Sequence, residues 1–367
     1  MTQLQNPITD YHRLPITGFW RGRRVFITGH TGFKGSWLTI WLRKLGAKVY
    51  GFSLREPPST PSHFELFAPD CRSFFGDIRN PAKLEKALQK SSPEIVFHLA
   101  AQPIVRLSYL APVETFSTNL IGTLNLFEAC RKTPSVKAII NITTDKCYEN
   151  LETDKAYKEE DPLGGHDPYS SSKACSEILS SCYRKSFFNS TGILLATCRA
   201  GNVIGGGDWA KDRLIPDIMR ATAKGEEAII RNPFSIRPWQ HVLDPLYGYI
   251  MLGEKLLNGD AKFATAWNFG PALEDCLTVE ELVKMASREW KRIKYKFQNN
   301  SEQNFHEAKI LKLDCNKAQT ELGWKPVWNS AKAIKKTVEW YKNFHEFNTI
   351  KTLENIEEYE SNLSNGN

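Results

Sequence analysis

The sequence predicts an α/β fold, with a doubly wound parallel sheet and a smaller, mixed C-terminal lobe. Short apolar runs alternate with amphipathic helical patterns up to residue 200, and a glycine-rich turn joins the first run to the first helical pattern. Beyond residue 200 this alternation loosens, which indicates a second lobe. The expected divisions are an N-terminal arm at 1–19, a main domain at 20–200 to which 236–271 returns, a substrate-binding lobe at 201–235 and 272–345, and a polar, frayed tail at 346–367.

The first strand and the first helix enclose the glycine turn. Residues 24–29 read as an apolar strand, and Gly29, Gly32 and Gly35 lead into a helix that is followed by a second strand at 48–53. Glycines here allow a tight turn and a close approach of a pyrophosphate to the backbone, while the helix N-terminus binds the anion. The sequence therefore predicts a Rossmann-type domain that binds a dinucleotide. The expected contacts in this turn are Gly29, Thr31, Gly32, Phe33, Lys34 and Gly35.

The residues alone leave the choice between NAD and NADP open. The glycine spacing is Gly-x-x-Gly-x-x-Gly, and the second strand ends without the acidic residue that commonly binds a ribose. Ser53 and Arg55 stand there instead, and an arginine would also suit a 2′-phosphate. Further cofactor contacts are expected at the ends of later strands, from Asp77, Ile78, Leu99, Ala100, Ala101, Gln102 and Thr143.

One strand end carries polar residues suited to catalysis. The apolar run at 137–142 predicts a buried parallel strand, so that Thr144, Asp145 and Lys146 leave the carboxyl end of the sheet. Open α/β sheets bind their ligands at this edge. These three residues are therefore candidates for the catalytic site.

Tyr169 and Lys173 lie four residues apart in a helix that Asp167 and Pro168 can open. One face of the helix then carries both side chains, and the lysine would lower the pKa of the phenol towards the range useful for a proton acceptor. A lone Tyr-x-x-x-Lys is more often an ordinary exposed pair. The glycine turn and the polar strand end favour the catalytic interpretation here.

Composition argues against several classes of function. The chain has 367 residues and a formal net charge of +7, but acidic and basic residues alternate, and no basic run with interleaved aromatics predicts binding to nucleic acid. The eight cysteines show no metal-ligand spacing, so no metal site and a reducing, cytoplasmic location are expected. No apolar stretch approaches the roughly 20 residues of a membrane helix.

Several stretches taken together resemble the extended short-chain dehydrogenase/reductases, and among them the nucleotide-sugar 4,6-dehydratases and epimerases. These stretches are GHTGFKGSWL, TTDKCY, YSSSK, RAGNVIGGGDW and RPWQHVLDP. The resemblance covers about Trp20 to Lys342, and the Phe33-Lys34 pair together with Lys146, where related dehydratases carry Glu, points to members that act on CDP-glucose. It implies NAD as the cofactor, a homodimer or homotetramer, and a role in making deoxysugars for surface polysaccharides such as lipopolysaccharide.

The resemblance also implies roles for individual residues. Tyr169, as a phenolate beside Lys173, would take the proton of the sugar 4-hydroxyl, to which Thr144 would hydrogen-bond. Asp145 would protonate the leaving 6-hydroxyl, and Lys146 occupies the position of the base that removes the C5 proton. A lysine is a base only when it is neutral, so the alternative is a cationic Lys146 that polarises the ketone.

Substrate contacts are implied on the sugar-diphosphate side. The expected residues are Asn202, Arg213, Arg237 and His241, and a structural role for His241 is an equal alternative. The chain departs from the related epimerases at 304–308, where it reads Asn-Phe-His-Glu-Ala and they carry an Arg-x-Gly-Asp stretch.

Two other functions share parts of this pattern. A nucleotide-sugar 4-epimerase needs everything up to the ketone but no acid and base for elimination, so Asp145 and Lys146 argue against it. A non-catalytic dinucleotide sensor on the same fold tends to lose the Tyr/Lys pair, which this chain retains. The sequence therefore favours a dehydratase.

Overall fold

A parallel sheet lies at the centre of the molecule, and helices cover both of its faces. The computed structural model describes residues 18–298 and 310–365. Within these residues the strands are β1 (Arg24–Thr28), β2 (Lys48–Ser53), β3 (Arg72–Phe75), β4 (Ile95–His98), β5 (Ala138–Ile142), β6 (Ala156–Tyr157), β7 (Leu194–Ala200), β8 (Val203–Ile204), β9 (Glu227–Ile230), β10 (Ile236–Arg237), β11 (Gln240–His241), β12 (Ala266–Phe269), β13 (Leu277–Thr278), β14 (Lys294–Phe297) and β15 (Lys312–Leu313).

Helices connect most of the long strands. In the described ranges the α-helices are α1 (Phe33–Lys44), α2 (His63–Phe67), α3 (Pro81–Ser91), α4 (Val105–Leu110), α5 (Pro112–Phe116), α6 (Gly122–Arg131), α7 (Pro168–Tyr183), α8 (Asn189–Thr191), α9 (Leu214–Lys224), α10 (Leu243–Leu257), α11 (Val279–Glu289), α12 (Ser330–Phe347) and α13 (Thr352–Asn365). Shorter π-helical turns lie at Ser117–Ile121, Arg184–Phe188 and Ala318–Leu322, and 3₁₀ turns lie at Asp145–Cys147, Ala261–Phe263 and Leu273–Asp275.

The central sheet has seven parallel strands in the order β12-β7-β5-β4-β1-β2-β3. The chain enters at β1, builds outwards through β2 and β3, and then returns to the other side of β1 with β4. The strand order therefore reverses between β1 and β4, and the loops that follow these two strands leave a crevice at the carboxyl edge. This topology confirms the predicted doubly wound α/β fold.

Apolar side chains from both faces of the sheet make the core. All five residues of β5 are buried, because helices cover the strand on both sides. On one face the indoles of Trp37 and Trp41, from α1, pack in a large cluster together with residues of α10. On the other face Leu84 of α3 and Leu126 of α6 belong to a second, smaller cluster. The two clusters fix the sheet between layers, so the carboxyl edge keeps a defined shape.

Short two-stranded sheets, built mainly from the chain beyond β7, lie outside the central one. They pair β8 with β11, β9 with β14, β10 with β13 and β6 with β15. From the segment 236–271, strand β12 returns to the central sheet beside β7, with Phe269 opposite Ala200. No helix in the described ranges is long and apolar enough to cross a membrane.

The expectation of a frayed tail at 346–367 is wrong for the described part of it. Helix α13 spans Thr352–Asn365, and its residues Ile356 and Tyr359 are fully buried. Tyr359 Oη donates to Asp244 Oδ1 at 2.8 Å, and Glu360 accepts from Trp41 Nε1 at 2.8 Å. These contacts hold the polar segment as a helix packed on α1 and α10. Of the arm expected at 1–19, only residues 18 and 19 lie in the described part of the chain.

Candidate active site

The glycine turn after β1 packs against the end of β4. Gly29 has φ +71°, and a Cβ at this position would lie 2.8 Å from the backbone nitrogen of Ala100. A Cβ at Gly35 would lie 2.1 Å from the carbonyl oxygen of Gly29. Only glycine therefore fits at both positions, and the chain turns into α1 with its backbone close to the crevice.

The N-terminus of α1 is available to an anion. Its N-cap residue is Gly32, so no side chain caps the first turn of the helix. Backbone N–H groups of a first turn have no partner inside the helix, and the helix dipole favours negative charge there. The turn thus has the form of a phosphate-binding cradle, and its contact with a cofactor stays a prediction.

The ends of β2 and β3 form the next part of the crevice. Thr31 Oγ1 donates to Ser53 Oγ at 3.1 Å, which links the glycine turn to β2. The Arg55 guanidinium lies 4.9 Å from the ring centroid of Phe75. Asp77 is held in an exposed ion pair by Arg79, whose Nε lies 2.9 Å from Oδ1. The carboxylate of Asp77, predicted as a cofactor contact, is thus already engaged by a neighbour.

The residues after β4 are tied to the strands and helices beside them. The N–H groups of Leu99 and Ala100 both donate to Thr28 Oγ1 at 3.2 Å. Gln102 N–H donates to Asn119 Oδ1 at 2.8 Å, and Asn119 Nδ2 donates to Ser172 Oγ of α7 at 2.9 Å. Two other predicted contacts line the same region: Ala101 is partly exposed, and Ile78 packs against Gly122.

Asp145 is the one carboxylate of the predicted catalytic set, and it is buried. It is 2% exposed, and its Oδ2 has no hydrogen-bond partner among the described residues. Thr144 Oγ1 donates to Asp145 Oδ1 at 3.1 Å. Burial raises the pKa of Asp145, against the opposing charges of Lys146 and Arg237. The carboxyl group therefore keeps its proton to higher pH than an ordinary aspartate, as a general acid must.

Tyr169 and Lys173 lie on α7 as predicted, and Asp167 caps the helix by accepting from Ser170 N–H at 3.0 Å. Burial raises the pKa of Tyr169 to about 12, although a hydrogen bond with Thr144 and the charge of Arg213 act in the opposite direction. The expected net lowering of this pKa is thus wrong for the protein on its own, because burial outweighs the effects of Thr144 and Arg213.

Lys173 is itself almost fully buried beneath the catalytic strand. Its Nζ donates to the carbonyl oxygen of Ile142 at 3.0 Å, so β5 fixes the position of the ammonium. Burial lowers the pKa of Lys173 to about 8, against the opposite effect of Glu177. The lysine is therefore cationic at neutral pH but close to losing its proton.

A buried ion pair joins α7 to β7 of the central sheet. Arg199 of β7 pairs with Glu177 of α7 at 2.9 Å. Thr143 Oγ1 donates to Glu177 Oε1 at 2.5 Å, and Thr197 Oγ1 donates to Oε2 at 2.8 Å. Thr143 was a predicted cofactor contact, but its hydroxyl is directed to Glu177. Burial raises the pKa of Glu177, but Arg199 and these hydrogen bonds outweigh it and hold the pKa below its usual range.

The arginines expected to bind a diphosphate differ in their surroundings. Arg213 pairs with Asp208 at 2.9 Å and lies near enough to Tyr169 to affect its pKa. Arg237 is buried on β10, and its charge acts on Asp145. Both therefore face the same crevice as the catalytic residues. Asn202 follows β7, and its carbonyl oxygen accepts from Gln240 N–H at 3.0 Å.

His241 belongs to the core, so the expectation of a substrate contact is corrected in favour of its structural alternative. Its ring lies between those of Trp37 and Trp328, with centroids 5.8 and 4.7 Å away. Burial lowers its pKa to about 3. The 304–308 stretch lies outside the described residues. Within the described ranges no group of His, Cys, Asp and Glu side chains is arranged to bind a metal ion.

Comparison with known proteins decides the family. The model of the GDP-mannose 4,6 dehydratase family matches residues 26–337. The chain is also 51% identical over 331 residues to the CDP-glucose 4,6-dehydratase of Salmonella typhimurium, covering 88% of this chain and 92% of that protein. This chain belongs to the GDP-mannose 4,6-dehydratase family. The match confirms the resemblance to extended short-chain dehydrogenase/reductases that was predicted from the sequence motifs.

Solved structures of more distant proteins share the fold. One is the UDP-glucose 4-epimerase of Thermus thermophilus in complex with NAD, with a TM-score of 0.76 and 24% identity over 87% of this chain and 99% of that one. Another is DesIV, the dTDP-glucose 4,6-dehydratase of Streptomyces venezuelae with NAD and TYD bound, with a TM-score of 0.74 and 22% identity over 88% and 98%.

Two features of this family member were missed in the sequence. Asn119, which joins the β4 end to α7, lies in the π-helical turn Ser117–Ile121 between α5 and α6, and no local sequence pattern distinguishes it. The pair Glu177–Arg199 could have been predicted only in part from the sequence. Glu177 follows Lys173 by four residues and so shares its helical face, but Arg199 is distant in sequence.

We expect Tyr169→Phe to lower turnover by about 10²–10⁴, the usual contribution of a general base. Cofactor binding should persist, because the ring is retained. Tyr183→Phe is a matched control on the same helix, since its hydroxyl donates only to Glu128, at 2.6 Å. Steady-state kinetics and a cofactor titration measure both effects. Equal turnover in the two variants would show that Tyr169 is not the base.

We expect Glu177→Gln to lower the free energy of unfolding by about 3–5 kcal/mol, because it leaves the buried guanidinium of Arg199 without a counter-charge. Urea unfolding followed by fluorescence measures the loss. Glu85→Gln is the control, because Glu85 pairs with the exposed Lys132 at 3.1 Å and such pairs contribute below about 1 kcal/mol. Similar losses in both variants would contradict a structural role for the buried pair.

Proposed function

We propose that this protein is an NAD-dependent CDP-glucose 4,6-dehydratase, which converts CDP-glucose to CDP-4-keto-6-deoxyglucose and water. The observation that carries the proposal is the buried, unpartnered carboxyl oxygen of Asp145 beside Thr144 and Tyr169. A 4-epimerase has no use for such an acid, whereas elimination of water requires one. The 51% identity to the Salmonella typhimurium dehydratase supports the same choice.

The residues of the crevice fit NAD. The uncapped N-terminus of α1 and the close packing of Gly29 and Gly35 suit a pyrophosphate, and Ser53 and Arg55 lie at the end of β2 where a ribose is expected. When bound, the nicotinamide supplies a hydride acceptor for C4 of the sugar and returns the hydride to C6. The related structures that contain NAD agree with this choice.

Oxidation at C4 requires a base at the 4-hydroxyl. Tyr169 is that base, and Thr144 holds the same hydroxyl in place. Because burial raises the pKa of Tyr169 to about 12, the phenolate needs positive charge nearby when the site is complete. Lys173, fixed by Ile142, and Arg213, paired with Asp208, provide it. The proton of the hydroxyl passes to Tyr169 as the carbon loses its hydride.

Elimination requires an acid at the 6-hydroxyl and a base at C5. Burial raises the pKa of Asp145, which favours its protonated form, and its role is to protonate the leaving oxygen. Lys146 is the next residue in the same 3₁₀ turn and is partly buried. In its neutral form it removes the C5 proton, which the 4-ketone makes acidic.

Arg213 and Arg237 provide the positive charge for the diphosphate of the substrate, with Asn202 beside them. The guanidinium group suits bidentate binding of phosphate oxygens. The name of the Salmonella typhimurium relative and the sequence motifs support CDP-glucose as the substrate. The resemblance to the family supports a homodimer or homotetramer as the assembly, and the unpaired cysteines support a reducing, cytoplasmic location.

The proposal is tested by incubating the protein and NAD with CDP-, dTDP-, UDP- and GDP-hexoses. We expect a 4-keto-6-deoxy product from CDP-glucose and much slower reaction with the others. CDP-glucose labelled with deuterium at C4 should carry the label to C6 of the same molecule. Release of the C4 epimer would identify an epimerase, and loss of the label to solvent or free cofactor would exclude an internal return of the hydride.

We expect Lys146→Ala and Asp145→Asn to separate oxidation from elimination. Oxidation at C4 needs neither group, so reduced cofactor should accumulate after mixing with CDP-glucose and be visible at its absorption band. Dehydration should be slowed by about 10²–10⁴, the range for a lost acid or base. Lys158→Ala, at a largely exposed lysine, is the control. A Lys146→Ala enzyme that dehydrates at the normal rate would show that Lys146 is not the base.

A further inference from the structure

Lys34 points from the glycine turn into the catalytic site. It is the second residue of α1 and directly precedes Gly35. Its Nζ lies 5.9 Å from the ring centroid of Tyr249, a fully buried residue of α10. Within the described residues no hydrogen bond or ion pair engages this ammonium. The backbone of Lys34 thus belongs to the expected phosphate cradle, while its side chain belongs to the site where the chemistry takes place.

Groups from every surrounding element act on the charge of Lys34. They are Lys173 on α7, Arg213 before α9, Asp145 after β5, Cys198 on β7 and Tyr249 on α10. Two of them are cations, and the single carboxyl group, Asp145, has a raised pKa. Burial, together with Lys173 and Arg213, lowers the pKa of Lys34 to about 8. At neutral pH the side chain is therefore mainly cationic, and Asp145 is the carboxyl group that acts on its charge.

If the function proposed above is correct, the cofactor contacts at both ends constrain the position of its nicotinamide ring. The N-terminus of α1 would hold its phosphates, and Tyr169 would meet the hydroxyl of the carbon that gives the hydride. A ring that reaches both would come near Lys34, whose charge is coupled to that of Lys173 on α7. An oxidised nicotinamide ring carries a positive charge, whereas the reduced ring is neutral. A cation at this place acts on one redox state only.

We propose that the ammonium of Lys34 sets the redox balance of the bound cofactor by repelling its oxidised form. Lys34 is then a positioning residue, because neither proton nor hydride passes through it. Its charge makes transfer of the hydride from C4 of the sugar more favourable, while the proton still goes to Tyr169. The same charge weakens the binding of NAD⁺ compared with that of NADH.

The test uses the full-length protein, freed of nucleotide, with NAD⁺ and NADH and without any sugar nucleotide. We expect the ratio of the dissociation constants, NAD⁺ over NADH, to fall roughly tenfold in Lys34→Met at pH 7, as expected for loss of one nearby charge. Lys34→Arg keeps the charge and should keep the ratio. Lys48→Met removes an exposed lysine at the start of β2 and should change neither constant.

The pH dependence gives an independent readout. As pH rises through about 8, Lys34 loses its proton, so binding of NAD⁺ to the wild type should strengthen while binding of NADH stays constant. Lys173 titrates in the same range. The contribution of Lys34 to the pH dependence of NAD⁺ binding is therefore the difference between wild type and Lys34→Met. Lys34→Arg should lack this contribution to the pH dependence, because the charge of arginine does not change in this pH range.

An unchanged ratio in Lys34→Met, or an equal change in both dissociation constants, would overturn the proposal, since a packing role would affect both redox states alike. Lys34→Gln provides a second neutral side chain should Lys34→Met fold poorly. Because no sugar nucleotide takes part, a failed reaction with CDP-glucose and a failed role of Lys34 give different results. If CDP-glucose is not the substrate, the ratio of dissociation constants still responds to Lys34. If Lys34 does not have the proposed role, dehydration of CDP-glucose still takes place.

Discussion

The catalytic site depends on the buried ion pair between Glu177 and Arg199. Tyr169 and Lys173 lie on α7, whereas Thr144 and Asp145 follow β5, so the reaction needs a fixed distance between a helix and a strand. Glu177 and Arg199 join α7 to β7 at 2.9 Å, and Thr143 adds the end of β5 to the same network. Arg199 also donates to Tyr148 Oη at 2.9 Å. The two charges compensate each other, and both carboxylate oxygens of Glu177 accept hydrogen bonds, which favours burial of such a pair.

Burial also sets the proton affinities above this network. It raises the pKa of Asp145 and Tyr169 and lowers the pKa of Lys173 and Lys34, because a low-dielectric site disfavours every charged form. The two lysines are brought to about 8, near neutral pH. A dehydration that passes through a ketone must move protons in both directions within one site. Groups whose charged and neutral forms are close in free energy suit that requirement.

The sequence predicted those parts of the structure that are local. Buried runs such as 137–142 became β5, and Asp167 with Pro168 placed the start of α7. The missed parts depend on contacts between distant segments. Asn119 acts only because its helix passes the end of β4, and α13 is ordered because Tyr359 meets Asp244, 115 residues earlier in the chain. The pKa of Tyr169 also depends on the tertiary structure, because burial raises it and outweighs the hydrogen bond with Thr144.

The glycine turn shows why a backbone motif leaves the role of one of its side chains open. A phosphate cradle is built from backbone N–H groups, so the motif constrains φ, ψ and the absence of Cβ atoms at Gly29 and Gly35. The motif does not constrain the side chain of Lys34, which lies between these two glycines. At Lys34 that side chain is therefore free to serve another purpose, and the fold directs it to Tyr249. One residue can thus contribute its backbone to phosphate binding and its charge to the reacting ring. The two contributions are separable by substitution, because replacing the side chain of Lys34 leaves the cradle unchanged.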